Sequence, residues 1–517
     1  MLQNLGKTEK YGYWLFAIPA LFFLLSPAKF PADDGFFYPQ IAHNFVNGLG
    51  FKFNDIYSTN GFHPLWMVVC IIADFMTVLP KQEMIYVLWL IQVVLFFLSI
   101  KYLQPLFKDR GIGKIAGVGF LGLVFFSLGT LYLTEAHLNL FCIALLLNLL
   151  IKGKTVNGWL LGLATSMVFL SRLDNVFILV FLGLYCLSGD TRPRTGDLIK
   201  AAGVSIVLVG GYLLYNKFEF GNMVPISGRI KSSFPYAEGS VFGNLWGTIF
   251  LASNLIYAVL LSFTKVDFRK LKLYFVTGAI VQLLYNMYFQ SQIGQWYFVM
   301  QMLAVAFMLN DMVNVFLLKS GIKQSKVAVG VLLVGCTIFL SSISYVKANT
   351  NISLGYNAAG DNEKIKESKK DKVQEIAEDL KKNLPAGSRV FTYDMPGKLA
   401  FYSDLQMIPA DGLVADKSFF EKMASMPFEK FLAENTIDYV VLPSGFQKKG
   451  TITFIGIETV NKSGTVSYIA RSSLLKRNVS KIGLSDFDLV KTYPNPLKVW
   501  QPDYDNVILL KLKKEKQ

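Results

Sequence analysis

Charge is scarce in this chain of 517 residues: 17% are Asp, Glu, Lys or Arg, where an ordinary soluble domain has roughly 25%. Hydrophobic residues make up 53% and aromatic ones 14%. That balance excludes an ordinary soluble globule and predicts a polytopic α-helical membrane protein. Cysteine is scarcer still. Cys70, Cys142, Cys186 and Cys336 all sit in apolar runs without metal-ligand spacing, so they read as small core hydrophobes and no disulfide framework is expected. The chain also lacks a P-loop, a dinucleotide fingerprint and a nucleophile elbow, which argues against nucleotide-driven chemistry. Internal repeats are missing as well, and low complexity is confined to a lysine-rich linker.

What is present is a series of apolar runs separated by basic clusters. The runs fall at about 11–29, 65–79, 83–104, 115–133, 137–151, 157–171, 175–189, 199–216, 243–262, 272–290, 296–318 and 326–346. The net charge of +15 is spread mostly between them, the pattern of membrane topology and anionic lipid surfaces rather than of nucleic-acid binding. Lys7/Lys10, Lys108/Arg110/Lys114, Lys152/Lys154, Arg192/Arg194/Lys200, Lys265/Arg269/Lys270/Lys272 and Lys319/Lys323/Lys326 alternate with the connections 135–139 and 171–175, the long loop 217–242 and the weakly charged 291–295. The alternation requires 30–104 to cross the membrane once. The run 65–79 carries Asp74 and ends at Pro80, so it is the one expected to lie in the interface. About eleven spans remain, with a cytoplasmic N-terminus and residues 347–517 outside. Lys7, Lys10 and Ser26-Pro27-Ala28 imitate a secretory signal, but the first run is longer than a signal core and is expected to stay as a span.

Three regions follow from this reading. Residues 1–346 form the membrane domain, with a first outer loop at 30–80; 347–384 form a charged linker and helix; 385–517 form an extracytoplasmic α/β domain. In the last, Val390 to Tyr393, Tyr439 to Leu442 and Val507 to Leu510 read as buried strands, with a helix near 417–434. The sequons at Asn461 and Asn478 are at chance level for this length.

Polar residues concentrate on the outer side. Asp33 and Asp34 directly follow the first apolar run. Adjacent acids at such a boundary raise each other's pKa unless a cation or donor offsets them, which suits a general base or a metal ligand; the plain alternative is a cap for the following helix. Charges at bilayer depth are costly, so Glu135, His137, Arg172 and Asp174 read either as site residues or as helix-end anchors, with Arg172 and Asp174 open to being a structural pair. Arg229 and Lys231 are cations on a non-cytoplasmic loop, against the topological bias, and point to an anionic ligand such as phosphate. Trp296 fits a binding residue or an interfacial aromatic belt.

Asp33-Asp34 with Phe36-Phe37-Tyr38, Ile41-Ala42-His43-Asn44, Asn47-Gly48-Leu49-Gly50 and Thr59-Asn60-Gly61-Phe62-His63-Pro64-Leu65-Trp66 resemble the first outer loop of GT-C class integral-membrane glycosyltransferases, in particular bacterial members related to mannosyl- and arabinofuranosyltransferases. Thr134-Glu135 resembles that group's small-Met-Glu-Thr turn, Ser171 to Asn175 its Arg-Pro-Asp-Gly turn, and Phe220 to Lys231 its Phe-Gly-Asn-x-x-Pro loop. Asp394 to Gly397 and Asp411 to Val414 resemble its C-terminal outer domain, and Leu173, Asn175 and Leu133-Thr134 depart from the pattern.

The resemblance implies inverting transfer, on the extracytoplasmic side of a plasma (bacterial inner) membrane, from a polyprenyl-phosphate-linked sugar to an envelope glycan, lipid or protein. It also implies non-crossing helices in the first loop and an aspartate there as general base. On this basis Asp34 is expected to be the base, with Asp33 as helper or alternate. Arg172, Arg229 and Lys231 are expected to hold the lipid phosphate, with His63 positioning a substrate or donating to that phosphate. Glu135 would orient a cation and Trp296 would contact substrate. A divalent cation at Asp33 and Asp34 is left open, and Asp394 and Asp411 read as turn-forming. The rival readings are a flippase for lipid-linked saccharides, which would be expected to show repeated halves and broken midplane helices, and a noncatalytic GT-C-like binding subunit.

Overall fold

The computed structural model describes residues 13–76, 80–107, 111–188, 192–237, 239–240, 242, 244–290, 293–320, 325–350, 370–426, 428–444, 456–460, 465–469, 480–483, 487–496 and 506–513. Lys7, Lys10, Lys108, Arg110, Lys323, the part of the charged run before residue 370, and the sequons at Asn461 and Asn478 lie outside the described residues.

The apolar runs fold as helices. A hydrocarbon core of about 30 Å needs about 20 residues at 1.5 Å each. Among the described residues, five helices are long and apolar enough to cross: Lys81–Leu106, Thr195–Phe220, Leu245–Phe263, Gln295–Leu317 and Val327–Asn349. On that ground the chain is an integral membrane protein. Trp14–Leu25, Gly111–Ser127, Ala136–Ile151, Gly158–Ser171 and Leu173–Ser188 are apolar but shorter, and Arg269–Phe289 opens on Arg269, Lys270 and Lys272. Eleven spans were expected, and five meet the length and composition of a span unaided. The shortening has local causes: Pro19 and the Ser26-Pro27 break divide the first run into single turns, and the turns carrying Glu135 and Arg172 cut the next ones short.

Close helix contacts use small residues. A Cβ on Gly162 would lie 2.7 Å from the Ala201 carbonyl oxygen, so only glycine lets Gly158–Ser171 approach Thr195–Phe220 this closely. In the first outer loop, helix Phe37–Val46 packs beside Pro64–Met76. The Trp66 indole N–H donates to the Leu133 carbonyl at 2.8 Å, fixing the loop onto the turn that carries Glu135.

The C-terminal part contains a five-stranded sheet of order β2-β1-β3-β8-β7 and a three-stranded antiparallel sheet β4-β5-β6. The strands are β1 (Arg389–Thr392), β2 (Gln406–Pro409), β3 (Tyr439–Ser444), β4 (Gly456–Val460), β5 (Thr465–Ile469), β6 (Ser480–Gly483), β7 (Phe487–Pro494) and β8 (Asn506–Leu512). β1 runs parallel to β2 and β3, whereas β8 runs antiparallel to β3 and β7. The three expected strands correspond to β1, β3 and β8. The expected helix at 417–434 is two, Lys417–Ser425 and Phe428–Glu434.

This unit rests on the first outer loop. The rings of Phe36 and Phe401 lie 5.3 Å apart, Asn54 donates to the Met407 carbonyl at 3.0 Å, and Tyr57 donates to Asn435 at 2.7 Å. Lys81 pairs with Asp404 at 2.6 Å.

Candidate active site

The adjacent acids are divided between two tasks. Residues Asp33–Phe36 form a tight turn in which neither acid caps the helix that follows. Asp33 instead accepts hydrogen bonds from the backbone N–H groups of Gly397 and Lys398, at 2.9 and 2.8 Å. These are the unsatisfied donors opening helix Pro396–Ser403, where a carboxylate is favoured by both hydrogen bonding and the helix dipole. A Cβ on Gly397 would overlap the Asp33 carbonyl oxygen. Burial still pushes the Asp33 carboxyl up to about 6, against those two donors. Asp33 is thereby a docking residue for the α/β unit, facing away from the cavity that Asp34 lines.

Asp34 is a third exposed, with Oδ2 3.7 Å from Lys231 Nζ. The two come from distant parts of the chain. Helix Ile226–Lys231 is brought to the first loop by Asn60, whose Oδ1 accepts the Ile226 N–H at 2.9 Å. Lys231 is buried, and although burial opposes its charge, Tyr297 and Asp34 outweigh it and hold the ammonium above its usual range. Arg229, two residues earlier and so about 200° around the helix, does not line the cavity; its guanidinium donates to Asn222.

Glu135 is the hub of a second group. Its Oε2 accepts from the Tyr38 hydroxyl at 2.9 Å, its Oε1 lies 3.6 Å from His63 Nε2, and Arg172 Nη1 donates to that same Oε1. Arg172 also forks onto Asp174 at 3.0 and 3.1 Å, with its plane 4.1 Å from the Tyr297 ring centre. Its guanidinium is 2% exposed, so it reaches any ligand through Glu135 and Tyr297 rather than directly. The anchor and site readings both fit it: Arg172 and Asp174 are paired, and the pair braces a wall of the cavity. Burial lowers the His63 pKa below its ordinary value, favouring the neutral imidazole.

The groups meet in a cavity lined by Asp34, His63, Glu135, Lys231, Trp296 and Tyr297, among others. Leu413, from the C-terminal unit, closes one side. A Cβ on Gly61 would overlap the Leu413 carbonyl oxygen, so this seam needs glycine. Of the expected residues, Asp34, His63, Glu135, Lys231 and Trp296 line the cavity, Arg172 braces it, and Asp33 and Arg229 point elsewhere. Tyr297 was not singled out in the sequence, yet it lies between the two cations, 5.8 Å from Lys231 Nζ; the signal available was its place beside Trp296 at the opening of a span.

Asp394 and Asp411 form turns, accepting from the N–H groups of Met395 and Leu413 at 2.7 and 2.9 Å. They are also half-buried, within the field of the first-loop acids. Burial, reinforced by Asp33 and Asp34, raises both carboxyls to about 7. His137 lies away from this site, with its ring 4.9 Å from that of Phe125 and 5.5 Å from that of Tyr132.

A shared divalent ion does not fit the acid pair. Asp33 is turned to two N–H groups and Asp34 to an ammonium, and among the described residues no group of three or more His, Cys, Asp or Glu is arranged to hold a metal. Chemically, the cavity offers a half-open carboxylate beside a cation, with aromatic walls. That suits proton abstraction next to a bound anion.

No protein-family model and no curated protein matches the sequence. In fold the chain is similar to the crystal structure of ArnT from Cupriavidus metallidurans in the apo state. The TM-score is 0.53 and the identity 13%, over 83% of this chain and 92% of that one. The likeness is one of fold.

Proposed function

We propose that the protein is an inverting glycosyltransferase that moves a sugar from a polyprenyl-phosphate donor to an acceptor on the extracytoplasmic side of the membrane. The observation that carries this reading is the pairing of Asp34 with Lys231 in an aromatic-walled cavity at the ends of membrane helices. The likeness to ArnT in fold supports it. Asp34 takes the proton of the acceptor hydroxyl as its oxygen attacks the anomeric carbon, and the bond to the phosphate oxygen breaks on the opposite face. Lys231 stabilises the departing lipid phosphate, where an ammonium contributes most as negative charge develops. Glu135, held by Arg172 and Tyr38, fixes His63 at the edge of the cavity. The C-terminal unit supports the first loop through Asp33.

The test is transfer by the full-length protein in reconstituted membranes, read as release of polyprenyl phosphate from labelled polyprenyl-phosphate sugars in the presence of envelope acceptors. Asp34→Asn is expected to lower transfer by about 10³-fold, within the range for a lost general base, with insertion and folding unchanged. Transfer at the wild-type rate by Asp34→Asn would overturn the assignment, and movement of intact donor across the bilayer without release would favour the flippase.

A further inference from the structure

A second cavity lies at the far ends of helices that lead to the site. Helix Gly158–Ser171 runs from Lys154 and Asn157 to Arg172, and Val176–Ser188 runs from Asp174 to Cys186 and Leu187. Helix Thr195–Phe220 runs from Arg194 towards the loop that carries Lys231. Lys154, Arg192 and Arg194 line this cavity together with Cys186, Leu187, Pro193, Thr195 and Leu198. All three cations are exposed, and none has an ion-pair partner among the described residues. Among the described residues, the acid on the neighbouring turn, Asp197, accepts the Gly158 N–H at 3.2 Å. Of the lining residues Leu187 is 66% exposed, and Trp159 and Ile199, close in sequence to the lining residues, are 61% and 68% exposed.

The positive-inside rule accounts for cations at this end of the bundle, but it asks only for charge on a connection. It does not call for three cations converging from two connections on one cavity that Leu187, Pro193 and Leu198 also line. We infer that this cleft binds the phosphate headgroup of an anionic glycerophospholipid, with the acyl chains lying along Leu187, Trp159 and Ile199. Charge complementarity selects the occupant: the walls are apolar where chains would lie and cationic where the phosphodiester would sit, at a leaflet depth where basic side chains attract anionic lipid. Because the same helices end at Arg172, Asp174 and the Lys231 loop, occupancy of the cleft would brace the site from its opposite end.

The full-length protein, in nanodiscs or detergent, is titrated with phosphatidylglycerol and with phosphatidylcholine, and bound lipid is counted by native mass spectrometry. Phosphatidylglycerol is expected to bind tighter than phosphatidylcholine, with a preference that falls as salt rises. In Lys154→Gln/Arg192→Gln/Arg194→Gln that preference is expected to drop by at least about tenfold. The control, Lys265→Gln/Arg269→Gln, removes exposed cations at the same end of the bundle but outside the cleft and is expected to keep the preference. Equal binding of the two lipids, or equal losses in the two variants, would overturn the proposal. Competition by glycerol 3-phosphate as strong as that by the intact lipid would also overturn it, since the cleft would then be a site for a soluble anion.

Discussion

Two lysine–aspartate pairs, each with a buried lysine, separate what is built to hold from what is built to react. At one end of the bundle, Lys272 on Arg269–Phe289 grips both oxygens of Asp311 on the helix that follows, at 2.9 and 2.8 Å. Tyr257 and Asn310 satisfy the remaining positions of that carboxylate, at 2.7 and 2.9 Å. The exposures are 2% and 6%. At the other end, Lys231 and Asp34 stand 3.7 Å apart, with the acid a third exposed to a cavity. Both ends use the same residue types. The difference lies in whether the lone pairs are already taken: a carboxylate with a full set of donors has nothing left for a substrate, whereas Asp34 has room for a hydroxyl.

The comparison breaks most sharply by removing one partner of the closed pair. Lys272→Met is expected to cost about 3–5 kcal/mol of stability, because it leaves a buried carboxylate unpaired; the double variant Lys272→Met/Asp311→Leu should recover most of the loss in thermal unfolding measurements. At the open end the same logic moves activity rather than folding. Glu135→Gln keeps the size of the side chain but removes the charge that holds Arg172 and faces His63, and it should reduce transfer by roughly 10–100-fold while leaving the unfolding midpoint within a few degrees.

The smallest effect is a pH trend. Asp394 and Asp411 carry pKa values of about 7 in the folded chain, against roughly 3.9 when unfolded. Asp33, at about 6, acts in the same sense. The folded state thus binds more protons between about pH 4 and pH 7, so these groups contribute stability that is full below that window and is lost as pH rises through it. The unfolding midpoint should fall by a few degrees from pH 5 to pH 8, and Asp394→Asn/Asp411→Asn should flatten the trend. A midpoint that rises over the same range would contradict the burial of these acids.

Much of the open end was legible in the sequence, for a physical reason. Asp34, Glu135 and Arg172 are charges at the ends of apolar runs, where charge is expensive enough to need a purpose, and Lys231 is a cation on a connection where the topological bias disfavours one. Partners distant in sequence were not legible. Asp33 looks like a local cap or a second catalytic acid until helix Pro396–Ser403 is seen above it. Arg229 and Lys231 are equivalent on paper, and only the turn of a six-residue helix separates the cation that faces the cavity from the one that faces Asn222. Lys272 reads as one of four basic residues on a connection, and its partner is thirty-nine positions away. The turns at Glu135 and Arg172 bound apolar runs whose helices, Ala136–Ile151, Gly158–Ser171 and Leu173–Ser188, are shorter than a membrane span needs unaided.

The claim that the open pair is an anion site with its base beside it is tested most directly by titrating a short-chain polyprenyl phosphate into the wild-type protein, Lys231→Gln, Asp34→Asn and Arg229→Gln. Lys231→Gln should bind at least about tenfold more weakly, as expected for a lost charge-assisted contact. Asp34→Asn should bind as tightly as the wild type or more so, since a neighbouring negative charge is gone, and Arg229→Gln should be unchanged. Weaker binding by Asp34→Asn together with unaltered binding by Lys231→Gln would contradict the account.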